Sequence, residues 1–280
     1  MSKTTEVEIA VIGAGPGGYA AAFRAADLGK KVILIDRDPT LGGVCLIRGC
    51  IPSKALLHIA KVMDETNNLS KMGVSYNKPD IDLEKIRLHK NKIVSQLNQG
   101  IDKMAKARGV ETIQGLASFK NNSELEVRTK SSNINIKYEK CIIATGSTSG
   151  MIPGISIKHD SILTSRTALE LVDIPNKLLV IGGGAIGLEL GQVYASLGSK
   201  VTIVEFMPTI IPGADEDIVK PLYRKLTKQF ESILLSSKVT NLEVQKNNSI
   251  NVSIENGKGC LLYTSQSPRD ATLSRIASSA

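Results

Sequence analysis

The sequence has no tryptophan, and aromatic residues make up only 4% of its 280 positions. No uninterrupted apolar run approaches the roughly 20 residues that a membrane-spanning helix needs. The opening MSKTTEVEIAVIGAG leads straight into a strand pattern and does not read as a secretion signal. The expectation is a cytoplasmic protein. Lysine and arginine total 35 against 27 aspartates and glutamates, a net charge of +8. A nucleic-acid surface would cluster such charges and interleave aromatics. Here the charges are scattered and the aromatics scarce, which sets that class aside and leaves an anionic ligand as the milder reading. There are four cysteines, Cys45, Cys50, Cys141 and Cys260. A reducing compartment disfavours a structural disulfide. A tetrahedral zinc site usually draws on two tight ligand pairs; one pair is present, and Cys141 lies inside an apolar strand pattern. The reading left for Cys45 and Cys50 is a catalytic dithiol, to be judged by its surroundings.

The length accommodates two domains or one large one. In VEIAVIGAGPGGYAAAFRAADLGKKVILIDR, Val7 to Ile12 read as a buried strand, Gly13 to Gly18 as a glycine turn and Pro16 to Leu28 as a helix stopped by Gly29. Lys31 to Ile35 read as a second strand that ends at Asp36. The unit recurs in NKLLVIGGGAIGLELGQVYASLGSKVTIVEF, with strand Leu178 to Ile181, turn Gly182 to Gly187, helix Ala185 to Leu197 and strand Lys200 to Val204 before Glu205. A repeated βαβ start predicts an α/β protein with two Rossmann-like dinucleotide-binding domains, over residues 1–149 and 150–259. Between the repeats the spacing predicts a helix over Asp82 to Arg108, short strands near Val110 to Gln114 and Ile134 to Tyr138, and a buried strand in KCIIATGS. The turn-rich stretch at 148–160 reads as the crossing between domains.

In each turn the first glycine permits the tight bend, the second lets a pyrophosphate approach, and the third lets the helix pack on the strand. The helix start then offers unpaired N–H groups to phosphate. Gly13, Gly15 and Gly18 have Asp36 at the end of the next strand; Gly182, Gly184 and Gly187 have Glu205. Such an acid accepts from a ribose hydroxyl. Glu205 would repel a 2′-phosphate, and VEFMPTIIPG offers no arginine, which favours NAD over NADP.

The cysteines lie in GGVCLIRGCIPSK. On an ideal helix, residues five apart rise about 7.5 Å and point roughly 140° apart, whereas a disulfide needs Cα atoms about 4.4–6.8 Å apart. The segment therefore cannot be a regular helix when the pair is oxidised, and Gly49 supplies the irregularity. Pro52 marks the first turn of a following helix, which places Cys50 near a helix N-terminus with Lys54 one turn on. Both effects favour a thiolate.

With both glycine turns, IIATGS and IIPGAD, this stretch resembles the redox motif of the class I pyridine nucleotide-disulfide oxidoreductases. GCIPSKALL is most similar to their dihydrolipoamide dehydrogenase branch. The resemblance runs from about residue 6 to 259. It implies FAD in the first unit, held by Gly13, Gly15, Gly18, Asp36, Arg37, Gly43, Lys54, Gly115, Ala117, Thr145 and Gly146. It implies NAD in the second, held by Gly182, Gly184, Ile186, Gly187, Glu189, Glu205 and Val239. It implies that Cys45 exchanges with dihydrolipoamide, that Cys50 faces the flavin, and that Lys54 lies near the reactive flavin edge paired with Glu189. The implied partners are lipoyl domains of 2-oxo acid dehydrogenase complexes or of the glycine cleavage system, and a second copy in a homodimer of the full-length parent. Rival readings are another disulfide reductase of glutathione-reductase type, a non-catalytic nucleotide-binding remnant and a metal-binding regulator.

The sequence departs from that family in places. Ile47-Arg48 stands where Asn-Val is usual, adding a positive charge beside the dithiol or marking a sequence error, and Asp36 stands where glutamate is usual. The family's histidine–glutamate base has no match among His58, His89 and His159. The resemblance thus implies an N-terminal fragment, inactive alone. Residues 260–280 lose apolar periodicity, and CLLYTSQSPRD resembles a translated sequencing-library adaptor. The expectation is that this tail is not native and is to be left out of fold reasoning, which removes Cys260 from consideration.

Overall fold

The computed structural model describes residues 4–150, 159–245, 249–257, 259–264 and 271–275. The chain divides into two compact units, Met1–Pro52 with Lys90–Ser147, and Ser53–His89 with Thr148–Ala280. Residues 53–89 thus group with the second unit, where the sequence expectation drew a linear boundary near residue 149.

The first half of the chain forms β1 (Thr4–Ile12), α1 (Pro16–Asp27), β2 (Val32–Asp36), α2 (Gly43–Arg48), α3 (Cys50–Leu69), α4 (Leu83–Ala107), β3 (Glu111–Gln114), β4 (Leu116–Asn121), β5 (Glu124–Arg128) and β6 (Asn133–Ile143). The strands make one sheet in the order β3-β2-β1-β6-β5-β4. It is parallel from β3 to β6 and antiparallel beyond. Val32 to Ile35 are all buried, as a parallel strand covered on both faces requires. Alternation sorts the faces. Val11 and Leu34 pack with Phe23 of α1 and Ile101 of α4, while Ala10, Ile33 and Ile35 pack with Leu125, Val127 and Ile136 of the antiparallel strands. The structure joins two segments that the sequence pattern separates: Ile134 to Tyr138 and the KCII of KCIIATGS belong to the single strand β6, which ends at Ile143.

The rest of the chain forms β7 (Ile162–Thr164), α5 (Ser165–Ala168), β8 (Lys177–Ile181), α6 (Ala185–Ser196), β9 (Lys200–Val204), α7 (Glu216–Gln229), β10 (Ser232–Leu234), β11 (Ser237–Val244), β12 (Ile250–Asn256), β13 (Gly259–Thr264) and β14 (Ala271–Arg275). A parallel sheet runs β10-β9-β8-β14-β7, and β11-β12-β13 form an antiparallel sheet. Leu56 and Ala60 of α3 join Leu188, Leu190, Tyr194 and Ile203 in the core of this unit. Among the described residues one helical stretch, Gly43–Met72, is long and apolar enough, by length and composition alone, to cross a membrane, which the sequence expectation did not anticipate.

Parts of the tail pair into the sheets. Residues 260–264 complete β13, and 271–275 form β14 between β8 and β7. Ladder pairing uses backbone groups, which every residue except proline carries in full. Residues 151–158, most of the expected interdomain crossing, lie outside the described residues.

Candidate active site

The first glycine turn is a backbone device. Gly13 sits at φ +101°, and its N–H donates to Ile35 O over 2.7 Å, tying β1 to the end of β2. A Cβ on Gly18 would run into the Gly13 carbonyl, so only glycine brings α1 this close. Helix α1 starts after Gly15, which is extended and supplies no side-chain cap. The leading N–H groups of α1 are therefore left for a ligand. Asp36 does more than wait for a ribose. Its Oδ2 accepts from Ala14 N at 2.5 Å and its Oδ1 from Asp38 N at 2.9 Å. Four lone-pair sites on a carboxylate leave acceptor capacity for a hydroxyl.

The cysteine-bearing segment begins on this turn. Gly42 N donates to Ala14 O at 2.8 Å. A Cβ on Gly43, which has φ +58°, would lie 2.5 Å from Gly15 Cα. Asn98 of α4 donates to Leu41 O at 2.5 Å. Helix α2 then carries Cys45, half-buried, and ends at Arg48. Gly49, at φ −148° and ψ −114°, breaks the helix, and α3 opens on the exposed Cys50. Arg48 Nη2 lies 2.6 Å from Asp38 Oδ2. No sequence signal announces this partnership, because it joins a loop residue to the last residue of α2 through tertiary contact alone.

Other predicted flavin contacts gather on the same turn. Thr145 and Gly146 follow β6, whose next residue, Ala144, donates to Ile12 O at 2.8 Å. A Cβ on Gly13 would collide with Ala144 O, so these residues border the turn. Gly115 N donates to Asp36 O at 2.7 Å. Ala117 stands in β4 opposite Val127, and Arg37 O accepts from Gln114 Nε2 at 3.4 Å. Cys141 lies in β6 opposite Ala10, where burial pushes its thiol above the usual range.

The second turn repeats the first in its own unit. Gly182 has φ +109° and donates to Val204 O at 2.8 Å. A Cβ on Gly187 would meet the Gly182 carbonyl. Gly184 is the extended, uncapped residue before α6. Glu205 is buried, accepting from Gly183 N at 2.6 Å and Met207 N at 2.7 Å. Ile186 is exposed on the first turn of α6. Glu189 accepts from Lys54 Nζ at 2.5 Å and from Ser53 Oγ at 3.4 Å. The Val239 side chain is buried with Leu179, Val204 and Val252. Among the described residues, no group of three or more His, Cys, Asp or Glu side chains is placed to hold a metal ion.

Comparison with known proteins matches this geometry. Residues 7–265 match the family model described as pyridine nucleotide-disulphide oxidoreductase. The chain is 45% identical over 261 residues to a dihydrolipoyl dehydrogenase of Haemophilus influenzae, covering 93% of this chain and 54% of that protein. It is 45% identical over 258 residues to a dihydrolipoyl dehydrogenase of Vibrio parahaemolyticus, covering 92% and 54%. Among solved structures, the copper(II) complex of the HOCl-induced flavoprotein disulfide reductase RclA from Escherichia coli superposes with a TM-score of 0.79 at 28% identity, covering 98% of this chain and 57% of that one. The chain spans about half the length of the curated relatives it matches. With two glycine turns, a paired-cysteine segment seated on the first of them, and a family match across most of its length, the chain belongs to the pyridine nucleotide-disulphide oxidoreductase family.

Proposed function

We propose that the chain is the dinucleotide-binding, dithiol-bearing part of a dihydrolipoyl dehydrogenase, which oxidises protein-bound dihydrolipoamide and reduces NAD. The observation that carries this reading is the helix break at Gly49, which puts Cys45 in a short helix seated on the first glycine turn and Cys50 at the start of the next helix. FAD fits the first turn: the Gly15–Gly43 approach leaves backbone free of Cβ atoms, and Asp36 retains acceptor capacity. Gly13, Gly15, Gly18 and Gly43 would hold its pyrophosphate, Asp36 its ribose, and Arg37, Gly115, Ala117, Thr145 and Gly146 would add contacts. Lys54 would approach its ring. NAD would take Gly182, Gly184 and Gly187, with Ile186, Glu189, Glu205 and Val239.

When bound, these cofactors supply the hydride-accepting rings. The protein's own chemistry is thiol–disulfide exchange. A substrate thiolate attacks Cys45 Sγ of a Cys45–Cys50 disulfide; that bond breaks and Cys50 leaves as a thiolate. The second substrate thiol gives its proton to a base and displaces Cys45, which leaves as a thiolate and takes up a proton. The substrate closes its own disulfide, and two electrons rest on the cysteine pair. Glu189 fixes Lys54 in place.

None of this chain's histidines matches the base of the family it resembles. His58 and His89 are exposed on helices, and His159 accepts from Ser161 N at 3.2 Å. The 280-residue chain alone should therefore transfer electrons once without turning over. Its partners would be lipoyl domains and, for the whole protein, a second copy, in the cytoplasm.

The test is anaerobic addition of dihydrolipoamide to the FAD-loaded chain. A single bleaching of flavin absorbance, absent in Cys45→Ser, is the expected result. Bleaching by glutathione with NADPH preference would favour another disulfide reductase, and a flavin inert to all dithiols would leave only a nucleotide-binding module. Steady lipoamide turnover would overturn the assignment of the missing base.

A further inference from the structure

The two residues that depart from the family pattern between the cysteines each have a structural role. Ile47 packs against the apolar cluster that includes Val11, Leu34 and Phe23. Arg48 pairs with Asp38 at 2.6 Å, with both side chains largely covered, at 18% and 24% exposure. A chance sequence error has no reason to satisfy a core position and a charge partner together. The pair also changes the meaning of Arg48. Its charge is matched by Asp38 and is not simply an added cation beside the thiols.

Asp38 is itself tied to the nucleotide turn. Its N–H donates to Asp36 Oδ1, and Asp36 Oδ2 holds Ala14 N. The contacts form an unbroken series inside the first unit: turn, Asp36, Asp38, Arg48, then Gly49 and Cys50. Helix α2, at 6 residues, is too short to be stable by itself, and it ends at the Gly49 break. A side-chain tie at its last residue is what such a segment needs.

We propose that Arg48 and Asp38 form a clasp that positions the dithiol segment on the adenosine end of the nucleotide site, so that order in the segment and affinity for FAD rise and fall together. This rests on the reading of the first turn as a FAD site. A fixed Asp38 holds the Asp36 carboxylate in the orientation that accepts a ribose hydroxyl, so the ordering cost is met before binding. Reciprocally, a ribose that locks Asp36 steadies Asp38 and, through it, the last turn of α2. Arg48 is in these terms a positioning residue for Cys50.

The experiment is a double-mutant cycle on the full chain with Arg48→Met, Asp38→Asn and the double variant, plus Arg48→Lys. Two quantities are read: FAD affinity by titration, and amide hydrogen exchange of peptides covering residues 42–50 in the FAD-free chain. Each single variant should weaken FAD binding about 3- to 10-fold, as loss of a partly buried charge-assisted bond implies, and should speed exchange over α2. The double variant should be no worse than the weaker single, and Arg48→Lys should fall between wild type and Arg48→Met because lysine keeps the charge but not the fork. Additive losses, or weaker FAD binding with unchanged exchange, would overturn the clasp, as would wild-type behaviour in both singles. If the wild-type chain fails to take FAD, the flavin reading fails; the exchange cycle then decides the clasp alone, non-additive acceleration sustaining it and no acceleration overturning it.

Discussion

The two glycine turns match closely in their backbones and differ in what is attached to them. Gly13 and Gly182 adopt φ +101° and +109°, and each donates to the end of the next strand, at 2.7 and 2.8 Å. Asp36 and Glu205 each accept two backbone N–H groups, from the residue after the first glycine and from the residue two beyond the acid. Even the returning loop is alike: Gly42 N reaches Ala14 O at 2.8 Å, and Ile211 N reaches Gly183 O at 2.9 Å. The loop at Gly42 carries the two cysteines, while the loop at Ile211 carries none. A dinucleotide turn is thus a reusable backbone fixture, and the chemistry comes from the segment that docks on it. The sheets diverge as well. The strand beside β1 is β6, ending in CII, whereas the strand beside β8 is β14, reading ATLSR. A strand inside a parallel sheet usually reads as a continuous apolar run, which β14 does not.

The comparison breaks most sharply at the third glycines. Gly18→Val should abolish FAD binding and leave NAD binding, and Gly187→Val should do the reverse, because each side chain would meet a backbone carbonyl that cannot move aside. Separate titrations with FAD and NADH check this, and loss of both ligands from either variant would contradict two independent sites. Independent sequencing of the DNA across codon 259 sharpens the sheet comparison. It should replace residues 260–280 with a segment whose strand beside β8 is apolar.

A smaller effect distinguishes the cysteines. Cys50 is exposed at a helix start, whereas burial raises the Cys141 thiol. A raised pKa means less thiolate at a given pH, so Cys141 should alkylate slowly below the ordinary thiol range of about 8.5 and faster as pH climbs above that range. Peptide mapping after timed iodoacetamide treatment reads the rate at each pH. The smallest effect is expected at Lys54–Glu189, where the lysine side chain is 59% exposed. Glu189→Gln should cost only about 0.2–1 kcal/mol in urea unfolding.

Much of this was readable before the structure. The βαβ units announce themselves through glycine and proline punctuation, so Pro16 and Gly29 bracket α1 within a residue of where it lies. Strand β4 was not legible, since LASFKN is almost wholly exposed and carries no clear alternation. The Gly49 break followed from disulfide geometry. The Lys54–Glu189 pair came from resemblance, because no local spacing links residues so far apart. The Asp38–Arg48 pair had no sequence signal, and Val239 gave no hint that its side chain faces the core.

The most direct test of the central claim is a thiol map of the chain purified in air and loaded with FAD. The account predicts that two thiols are lost, that mass spectrometry finds them joined as Cys45–Cys50, and that dithiothreitol restores both while Cys141 stays reduced throughout. Cysteines 45 and 50 both alkylating freely in the air-oxidised, FAD-loaded protein would contradict it.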